Sequence, residues 1–401
     1  MALMSVAEAL ARILSGAKPT AAETIALEKA QGRILAAPLK AQRDQPPFDA
    51  SAMDGYAVIG ADVANVPATL NVIGMSAAGH GFHGKVKPGQ AVRIFTGAPL
   101  PLGADTVVIQ ENVDALAGGA ISVREAAAPG QNIRHRGLDF GKDEVLLPTG
   151  LCLNARDAGL AAAMNCATLR VRRKPVVAIL ATGDELVPPG GRPRPDQIVG
   201  SNGAALMALA QRFGAEVVNL GIVRDDLTAT ERAIRRARTA DILLTTGGAS
   251  VGDHDYVQEA LKNVGVRLDF WKIAMRPGKP FMYGRKGRQH VMGLPGNPVS
   301  ALVCARLFLK PLLDAMLGLA VGGDLAEARL AAPMKANDGR QDYVRASLAV
   351  KPDGTRLASP FARQDSSMQR VFREADCLIV RPPHAPEAEA GAAVAILILD
   401  F

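Results

Sequence analysis

The feature that most constrains the fold is a regular alternation of strand-like and helix-like segments between residues 174 and 317. The strand patterns cover residues 176–180, 217–220, 242–245, 268–273 and 291–294. Helix patterns cover residues 204–213, 229–238, 256–263 and 300–317. Because short apolar runs that alternate with helices are typical of βαβ units, this region predicts a mostly parallel, doubly wound α/β sheet.

The segments before and after this region have different patterns. Residues 45–147 contain short β-like runs separated by Gly and Pro, at 69–73, 91–95, 106–110 and 120–124, and predict a compact β module. Helix starts of the Ser/Thr-x-x-Glu type at Ser5 and Thr20 predict helices over residues 9–14 and 25–35. A third helix, capped by Asn154, is predicted over residues 158–166, where it could pack with the first two. Alternating strands return after Gly322 and predict a small β domain.

We therefore expect a multidomain α/β plus β protein in four parts. The predicted parts are an N-terminal helical part (residues 1–44 with 142–172), an inserted β domain (45–141), the doubly wound domain (173–320) and a C-terminal β domain (321–401). A chain of 401 residues with 48% hydrophobic residues can bury several cores.

Composition excludes several classes of protein. No run of about 18 uncharged apolar residues occurs, which predicts no transmembrane helix and no membrane partner. The N-terminus contains Glu8 and Arg12 and lacks the pattern of a signal peptide, so we expect a cytoplasmic protein. Four cysteines without metal or pair spacing predict buried reduced thiols. The net charge of +7 suits an anionic ligand, whereas dispersed basic residues with only 4% aromatics argue against nucleic acid.

Loops after the predicted strands collect the polar residues. Ligands of open parallel sheets bind at the carboxyl ends of the strands, where five loops converge: 182–186, 224–226, 245–255, 276–280 and 293–300. Gly247, Gly248 and Gly252 let backbone amides approach a phosphate, and Ser250 can donate a hydroxyl. A glycine-rich turn alone is more often structural, but positive charge from Arg276 and Lys279 in the next loop favours phosphate binding.

Carboxylates lie in the same loops. They are Asp184, Glu185, Asp225, Asp226, Asp253 and Asp255. Acids beside a phosphate repel it unless a hard cation lies between them, and Mg²⁺ binds one or two carboxylates together with phosphate oxygens. The sequence therefore predicts a magnesium-held phosphate, with helix capping an equal alternative for Asp226 and Asp253. Asn297-Pro298 predicts a helix start with proline at the first helical position.

Two loops of the β module carry further polar residues. Asp54-Gly55 precedes a strand and is either a tight turn or part of a site. The loop 134–139 carries Arg134, His135, Arg136 and Asp139, which suits an anion and equally suits a solvated surface. We find no Ser/His/Asp or Cys/His set that would indicate a protein nucleophile.

Six motifs occur in order over nearly the whole chain. They are Ser51-Ala52-Met53-Asp54-Gly55-Tyr56-Ala57, Phe95-Thr96-Gly97-Ala98-Pro99-Leu100-Pro101 with Gly103-Ala104-Asp105-Thr106-Val107-Val108, Thr182-Gly183-Asp184-Glu185-Leu186, Thr246-Gly247-Gly248-Ala249-Ser250-Val251-Gly252-Asp253, Pro277-Gly278-Lys279-Pro280 and Leu294-Pro295-Gly296-Asn297-Pro298. Together they resemble the MoeA and gephyrin E-domain family of molybdopterin molybdenumtransferases.

The resemblance implies the last step of molybdenum cofactor synthesis, the Mg²⁺-dependent insertion of molybdate into adenylylated molybdopterin with release of AMP. It also implies an elongated homodimer whose active cleft lies between the doubly wound domain of one chain and the β insertion of the other. Molybdopterin adenylyltransferase and other proteins of the cofactor pathway are partners that such an enzyme would meet.

Carried over residue by residue, the resemblance implies specific roles. The catalytic acids would be Asp54, Asp139, Glu185, Asp225 or Asp226, and Asp255, of which Glu185, Asp225 and Asp255 would hold the metal. The substrate-binding residues would be Thr182, Gly183, Gly247, Gly248, Ser250, Arg276, Lys279, Pro298 and Ser300. Arg345 and Ser366 would bind molybdate.

This chain departs from the family pattern at three positions. Arg276 replaces a common lysine, Ala50 replaces an Asn, and Asp365 stands beside Ser366 where glycine is usual. Either Asp365 points outward or molybdate binds weakly.

Two alternative functions remain. Molybdopterin adenylyltransferase resembles the doubly wound domain alone, so the β insertion and the C-terminal domain argue against it. A non-catalytic molybdopterin-binding scaffold is the second alternative, and the acids Asp54, Glu185 and Asp255 argue against it.

Overall fold

The computed structural model describes residues 3–247 and 256–401. The chain forms two compact units, one of Thr24–Val171 and one of Met1–Glu23 with Arg172–Phe401. The predicted site residues Gly248, Ser250 and Asp255, with Gly252 and Asp253, lie outside the described residues. Within the described residues, no helix combines the length and the hydropathy that a membrane span requires.

The larger unit contains a six-stranded, mostly parallel sheet. Its strands, in spatial order, are Glu216–Val223, Val176–Thr182, Ile242–Thr246, Gln289–Leu294, Met282–Lys286 and Arg267–Trp271. The first four strands pair in parallel, and the last two add as antiparallel strands at one edge. The prediction of a doubly wound α/β sheet is confirmed, although the strand Met282–Lys286 was missed.

Helices cover both faces of this sheet. They are Val6–Ser15, Asn202–Arg212, Leu227–Arg236, Tyr256–Asn263, Pro298–Cys304 and Lys310–Leu317, with a π-helical turn Ala305–Leu309 between the last two. Along the strand Val176–Thr182, Val177 and Ile179 pack into one core, whereas Ala178 and Leu180 pack into the other. Since successive strand residues point to opposite faces, this alternation gives the sheet a buried layer on each side.

The N-terminal helix is confirmed, but the neighbours predicted for it are wrong. Ser5 caps the helix by accepting a hydrogen bond from the Glu8 amide (3.1 Å). Ala9 and Ile13 of this helix are fully buried in a core of the doubly wound sheet. The helix capped by Asn154 belongs to the other unit, where its Ala161 lies in a separate core.

The helix predicted over residues 25–35 is also wrong. The structure has a strand, Ala22–Ala26, and one 3₁₀ turn, Leu27–Lys29. The hydroxyl of Thr20 does not cap a helix but donates to the carbonyl of Arg173 (2.7 Å). The part predicted from residues 1–44 with 142–172 is thus not predominantly helical. The third helix and its capping residue Asn154 are confirmed, but the helix spans Ala155–Ala163 and ends before Cys166.

The unit Thr24–Val171 contains the predicted β module. Its six-stranded sheet has the order Thr106–Ile109, Gly55–Val58, Gln90–Ile94, Ala68–Ser76, Ala120–Val123 and Val113–Ala115. Two small ladders pair Ala50–Ser51 with Ile133–Arg134 and Leu39–Lys40 with Val145–Leu147. Short 3₁₀ turns lie at Gly60–Val63, Gln110–Asn112 and Ala117–Gly119, and the strand Thr168–Arg172 follows the helix.

The C-terminal segment forms a closed β structure. Its strands pair in the circular order Gln341–Val350, Arg356–Pro360, Leu325–Leu330, Ala393–Ile398 and Cys377–Arg381, which returns to Gln341–Val350. A short strand, Met275–Arg276, pairs in parallel with Gln341 and Asp342, and the helix Gln369–Glu374 lies in the connection before Cys377. Closure leaves these five strands without a free edge, and the short strand brings the loop that carries Arg276 to this domain.

A buried polar pair in the larger unit links stability to pH. The Tyr283 hydroxyl lies 2.9 Å from Nδ1 of His290, whose pKa burial lowers to about 4, with nearby Arg285 lowering it further and Asp241 opposing the shift. The unfolded chain binds this proton below about pH 6.5. We therefore expect the free energy of unfolding to decrease as the pH falls from 6.5 to 4. Protonation of His290 should account for up to about 3 kcal/mol of this decrease.

Urea unfolding at pH 7 and at pH 4.5 checks this expectation. The His290→Gln variant should lose less stability on acidification than the wild type, because it has no imidazole to protonate. The exposed His80 provides the control, and His80→Gln should keep the wild-type pH dependence. An equal loss in the wild type and in His290→Gln would contradict the assignment.

Candidate active site

Two adjoining cavities open at the carboxyl ends of the parallel strands. The first, of about 590 Å³, is lined mainly by apolar side chains, and we call it the apolar cavity. The second, of about 640 Å³, is lined by Arg276, Lys279 and Arg340, and we call it the basic cavity. Among residues 3–247 and 256–401, the wall common to both cavities consists of Glu185, Gly247, Gly296 and Asn297. The predicted convergence of loops at this edge is thus present in the structure.

The described lining of the apolar cavity is mostly hydrophobic and includes one buried hydroxyl that has no partner. Its apolar residues include Ile179, Leu186, Ile198, Val199, Met207 and Ile222. The hydroxyl of Thr182 is buried at this cavity and has no hydrogen-bond partner among the described residues. Because a buried unpaired hydroxyl is costly, the Thr182 hydroxyl requires a hydrogen-bond partner that the described residues do not supply. The cavity therefore suits a flat ring that carries a hydrogen-bonding edge.

Glycine at position 247 is required by its surroundings. Gly247 has a φ of +90°, and a Cβ built on it would lie 2.3 Å from the carbonyl oxygen of Thr182. Backbone can approach this closely only where no side chain intervenes. The predicted residues Thr182 and Gly247 are thus in contact at the floor of the site.

Asn202, which sequence analysis missed, holds the strand ends together. Its side-chain amide donates to the Thr246 hydroxyl (2.8 Å) and to the carbonyl of Gly296 (2.7 Å). The signal available in the sequence was weak, because Asn202 stands at a helix start, where asparagine is common for reasons of capping.

The acidic residues fall into different environments. Each of Asp184 and Asp225 accepts a hydrogen bond from the backbone amide of the other, at 3.4 Å. Asp226 caps the helix Leu227–Arg236 by accepting from the Ala229 amide (2.6 Å), so the structure gives Asp226 the capping role. Glu185 folds over Gly183, and its carboxylate forms no hydrogen bond or ion pair among the described residues.

The acids fit a hard cation in their donor chemistry. Glu185 lines both cavities, and carboxylate oxygens are the ligands that Mg²⁺ prefers. No three acidic, histidine or cysteine side chains within residues 3–247 and 256–401 converge on a metal position. Glu185 and Asp225 are thus two available donors, and a complete ligand set requires the substrate or residues beyond the described ones.

The basic cavity contains cations of different kinds. Lys279 is exposed and forms no ion pair with any acid in the described part of the chain. Arg276 instead pairs with Asp342 and Asp338, and Arg340 pairs with Asp338 at 2.7 Å. Hydrogen bonds from Arg340 lower the pKa of Asp338 to about 2, so this acid stays ionised near neutral pH.

The loop that carries Lys279 is fixed by close packing. Gly278 has a φ of +116°, and a Cβ at this position would lie 2.5 Å from Sγ of Cys304 and 2.9 Å from Met275. The Lys279 carbonyl accepts a hydrogen bond from the Ile273 amide (3.0 Å). Cys304 is fully buried, and burial raises the pKa of its thiol. Cys166 and Cys377 are also buried as predicted, whereas Cys152 is exposed.

A loop of the C-terminal domain closes the basic cavity. Ser366 accepts a hydrogen bond from the Asn297 side chain (2.7 Å) and, through its carbonyl, from the Val299 amide (3.0 Å). Asn297 stands at the helix N-cap position, and Pro298 begins the helix as predicted, but the Asn297 side chain does not cap it. Ser300, in the first turn of this helix, is buried and lines the same cavity.

Arg345 lies behind this wall. It is 1% exposed, and its guanidinium donates to the Gln364 side chain (3.1 Å) and to the Asp365 carbonyl (2.8 Å). The cavity lining contains Gln364, Asp365 and Ser366 but not Arg345. The Asp365 carboxylate accepts from both the amide and the hydroxyl of Ser367, which lowers its pKa. Arg345 thus supports the loop from within, and the Asp365 carboxylate is engaged in its own turn.

The remaining predicted acids belong to the unit Thr24–Val171. Asp54 accepts hydrogen bonds from the amide (2.7 Å) and the hydroxyl (2.8 Å) of Thr96, and these bonds lower the pKa of Asp54. Asp139 lies in a loop whose backbone pairs with Gln45. Neither acid lines the apolar or the basic cavity.

Three family models match successive parts of the chain. They are the MoeA N-terminal region (domain I and II) over residues 4–165, a probable molybdopterin binding domain over 178–315 and the MoeA C-terminal region (domain IV) over 327–399. The matches follow one another in the order that the family resemblance requires.

Whole-length relatives give the same result. A molybdopterin molybdenumtransferase of Haemophilus influenzae is 36% identical over 381 residues, covering 94% of each chain. One of Bacillus subtilis is 34% identical and covers 98% of this chain and 94% of its own. The crystal structure of a molybdopterin biosynthesis MoeA protein from Pyrococcus horikoshii superposes with a TM-score of 0.87 at 31% identity, covering 99% of each chain. The chain therefore belongs to the MoeA family of molybdopterin molybdenumtransferases.

Proposed function

We propose that this chain inserts molybdate into adenylylated molybdopterin and releases AMP, the last step in forming the molybdenum cofactor. One observation carries the proposal: an apolar cavity adjoins a basic cavity, and a carboxylate, Glu185, stands in their common wall. A ligand that joins flat rings to a phosphoanhydride and reacts with an oxyanion needs these three environments side by side.

In this proposal each region takes the part of the substrate that matches its chemistry. A ring system occupies the apolar cavity, where the free Thr182 hydroxyl meets its polar edge. The phosphoanhydride lies along the common wall near Gly247, within reach of Lys279. Molybdate enters the basic cavity, where Lys279 supplies charge and the hydroxyls of Ser300 and Ser366 supply hydrogen bonds.

Magnesium is proposed as the cofactor, with Glu185 and Asp225 as ligands and Asp255, outside the described residues, as a further one. The bound cation would neutralise charge that develops on the bridging oxygens of the phosphoanhydride. Lys279 of the basic cavity would stabilise the same charge. The proposed reaction forms no covalent enzyme intermediate and therefore requires no protein nucleophile.

The structure favours this function over molybdopterin adenylyltransferase. Residues Arg340, Gln364, Asp365 and Ser366 of the C-terminal segment line the basic cavity. A protein made of the doubly wound domain alone would lack this wall and its oxyanion site. We further propose a homodimer that acts together with other proteins of the cofactor pathway, for which gel filtration with light scattering is the direct measurement.

Release of AMP tests the proposed function. Purified protein and adenylylated molybdopterin are incubated with and without molybdate and Mg²⁺, and AMP is quantified by chromatography. We expect release that depends on both ions and falls at least about 100-fold in Asp54→Ala, because the family resemblance implies that Asp54 is a catalytic acid. The half-buried Asp62 of the same unit, whose carboxylate likewise accepts a hydrogen bond from a backbone amide (Gly89, 2.8 Å), supplies the control Asp62→Ala, which should stay active if folded. Tight substrate binding without AMP release at any ion concentration would instead indicate a scaffold.

A further inference from the structure

The cations of the basic cavity differ in whether an acid neutralises them. Lys279 has no acidic partner among the described residues, whereas Arg276 and Arg340 are each paired with acids from the segment 338–342. Nearby acids therefore offset the positive charge of Arg276 but not that of Lys279. This difference indicates that Lys279 and Arg276 do not contribute to anion binding in the same way.

Backbone pairing fixes the partner of Arg276. The strand Met275–Arg276 runs parallel to Gln341 and Asp342, with Arg276 directly opposite Asp342. The Gln341 amide donates to the Ala274 carbonyl (2.9 Å), which extends the same ladder. Because the ladder sets the positions of both Cα atoms, the ion pair of Arg276 with Asp342 follows from the register.

The side chains complete a clamp around the Arg276 guanidinium. Arg276 donates through Nη2 to Asp342 Oδ2, and contacts Asp338 Oδ2 and Asn337 Oδ1 at 3.4 Å each. About half of the Arg276 side chain is exposed, at the rim of the basic cavity. The guanidinium is therefore held from the side of the C-terminal domain.

Asp342 is buried to an extent unusual for a carboxylate. Its side chain is 12% exposed, and Oδ1 has no hydrogen-bond partner among the described residues. A buried carboxylate that loses its only cation is strongly disfavoured. Arg276 is the one cation within 4 Å of Asp342 in the described part of the chain, so the two side chains depend on each other.

We propose that Asp342 is a positioning residue that orients the guanidinium of Arg276 toward an oxyanion in the basic cavity. A planar guanidinium offers donors in fixed directions, which a flexible lysine at this position would not. Because Asp342 offsets the charge of Arg276, Arg276 selects the oxyanion by the directions of its hydrogen bonds. Lys279 supplies the electrostatic attraction for the oxyanion. This inference rests on the proposed function, because it takes the basic cavity to be an oxyanion site.

A double-mutant cycle on anion affinity tests the inference. Molybdate binding is measured by titration calorimetry in the wild type, Arg276→Ala, Asp342→Asn and the double variant. We expect each single variant to bind about 10-fold more weakly, because the oriented donors of Arg276 are lost or misaligned. The double variant should bind no more weakly than Arg276→Ala, since Asp342 acts only through Arg276.

Thermal unfolding provides a second cycle that does not need anion binding. Arg276→Ala should lower the melting temperature by leaving the Asp342 carboxylate buried and unpaired, and Asp342→Asn in the same background should restore most of it. This comparison of Arg276→Ala with the double variant remains informative even when Asp342→Asn alone folds poorly. The control is Asp353→Asn, at a turn beyond the far end of the strand Gln341–Val350, which should leave molybdate affinity unchanged.

The outcomes separate the inference from the proposed function. The positioning role of Asp342 would be overturned if the two substitutions had independent effects on molybdate affinity. It would also be overturned if Asp342→Asn bound molybdate with wild-type affinity. In both cases molybdate binding by the wild type would remain established. Inorganic phosphate is titrated in parallel: a wild type that binds phosphate but not molybdate contradicts the molybdate site, and the cycle is then evaluated with phosphate. A wild type that binds neither anion overturns both.

Discussion

Replacement of Glu185 by Gln is expected to reduce AMP release about 1,000-fold while the protein stays folded. Glu185 lines both cavities, and its carboxylate has no hydrogen bond or ion pair among the described residues. Gln has nearly the same volume but no charge with which to hold a cation against a phosphoanhydride. A loss of this size corresponds to about 4 kcal/mol of transition-state stabilisation. Chromatographic measurement of AMP under saturating molybdate and Mg²⁺ checks it.

The control for this substitution is Glu387→Gln, at an exposed position of the C-terminal domain. It changes charge by the same amount without altering either cavity and should keep activity within about 2-fold of the wild type. Equal melting temperatures of the two variants would show that the loss is chemical. Normal turnover by Glu185→Gln would remove Glu185 from the metal role.

The second large effect is expected from Gly55→Ala, on stability. A Cβ at position 55 would lie 1.9 Å from the carbonyl oxygen of Val108 and 3.0 Å from Cα of Ile109. Gly55 pairs with a strand on each side, opposite Ile94 and Ile109, so the clash cannot be relieved without opening the sheet. We expect a loss of about 3 kcal/mol or more, together with displacement of the neighbouring Asp54. Thermal unfolding followed by circular dichroism measures it.

Gly159→Ala is the matched control in the same unit. Gly159 lies within the helix Ala155–Ala163, and no heavy atom lies within 4 Å of its built Cβ. Alanine there should stabilise the protein by up to about 1 kcal/mol, because it lowers the entropy of the unfolded chain. A Gly55→Ala variant with the wild-type melting temperature would show that the sheet tolerates the extra atom.

Much of the doubly wound domain could be predicted because its local and long-range signals agree. Apolar runs such as residues 176–180 lie in buried strands, and the helix Tyr256–Asn263 ends at the predicted residue. Prediction failed where tertiary contacts override local preference. The sequence after Thr20 has a helix-start pattern, but the Thr20 hydroxyl donates to the carbonyl of Arg173, which is remote in sequence. The chain then continues as a strand.

The site was predicted best where backbone geometry restricts residue type. Gly247 and Gly278 have positive φ angles and close neighbours. Such positions require glycine, and the glycine is visible in the sequence. Asp342 and Asn202 were missed because their partners are remote in sequence. Arg345 lies behind the cavity wall, and only the fold reveals that Gln364 separates it from the opening.

The wall common to the two cavities has a consequence for inhibitor design. Among the described residues, Glu185, Gly247, Gly296 and Asn297 line both the apolar and the basic cavity. Two weak fragments, a planar heterocycle and a small acid, would each fill one compartment. Joined by a short linker across this wall, the second fragment would bind at an effective concentration in the millimolar range. Their affinities would then combine, and the linker length that gives the tightest binding would measure the distance between the two subsites.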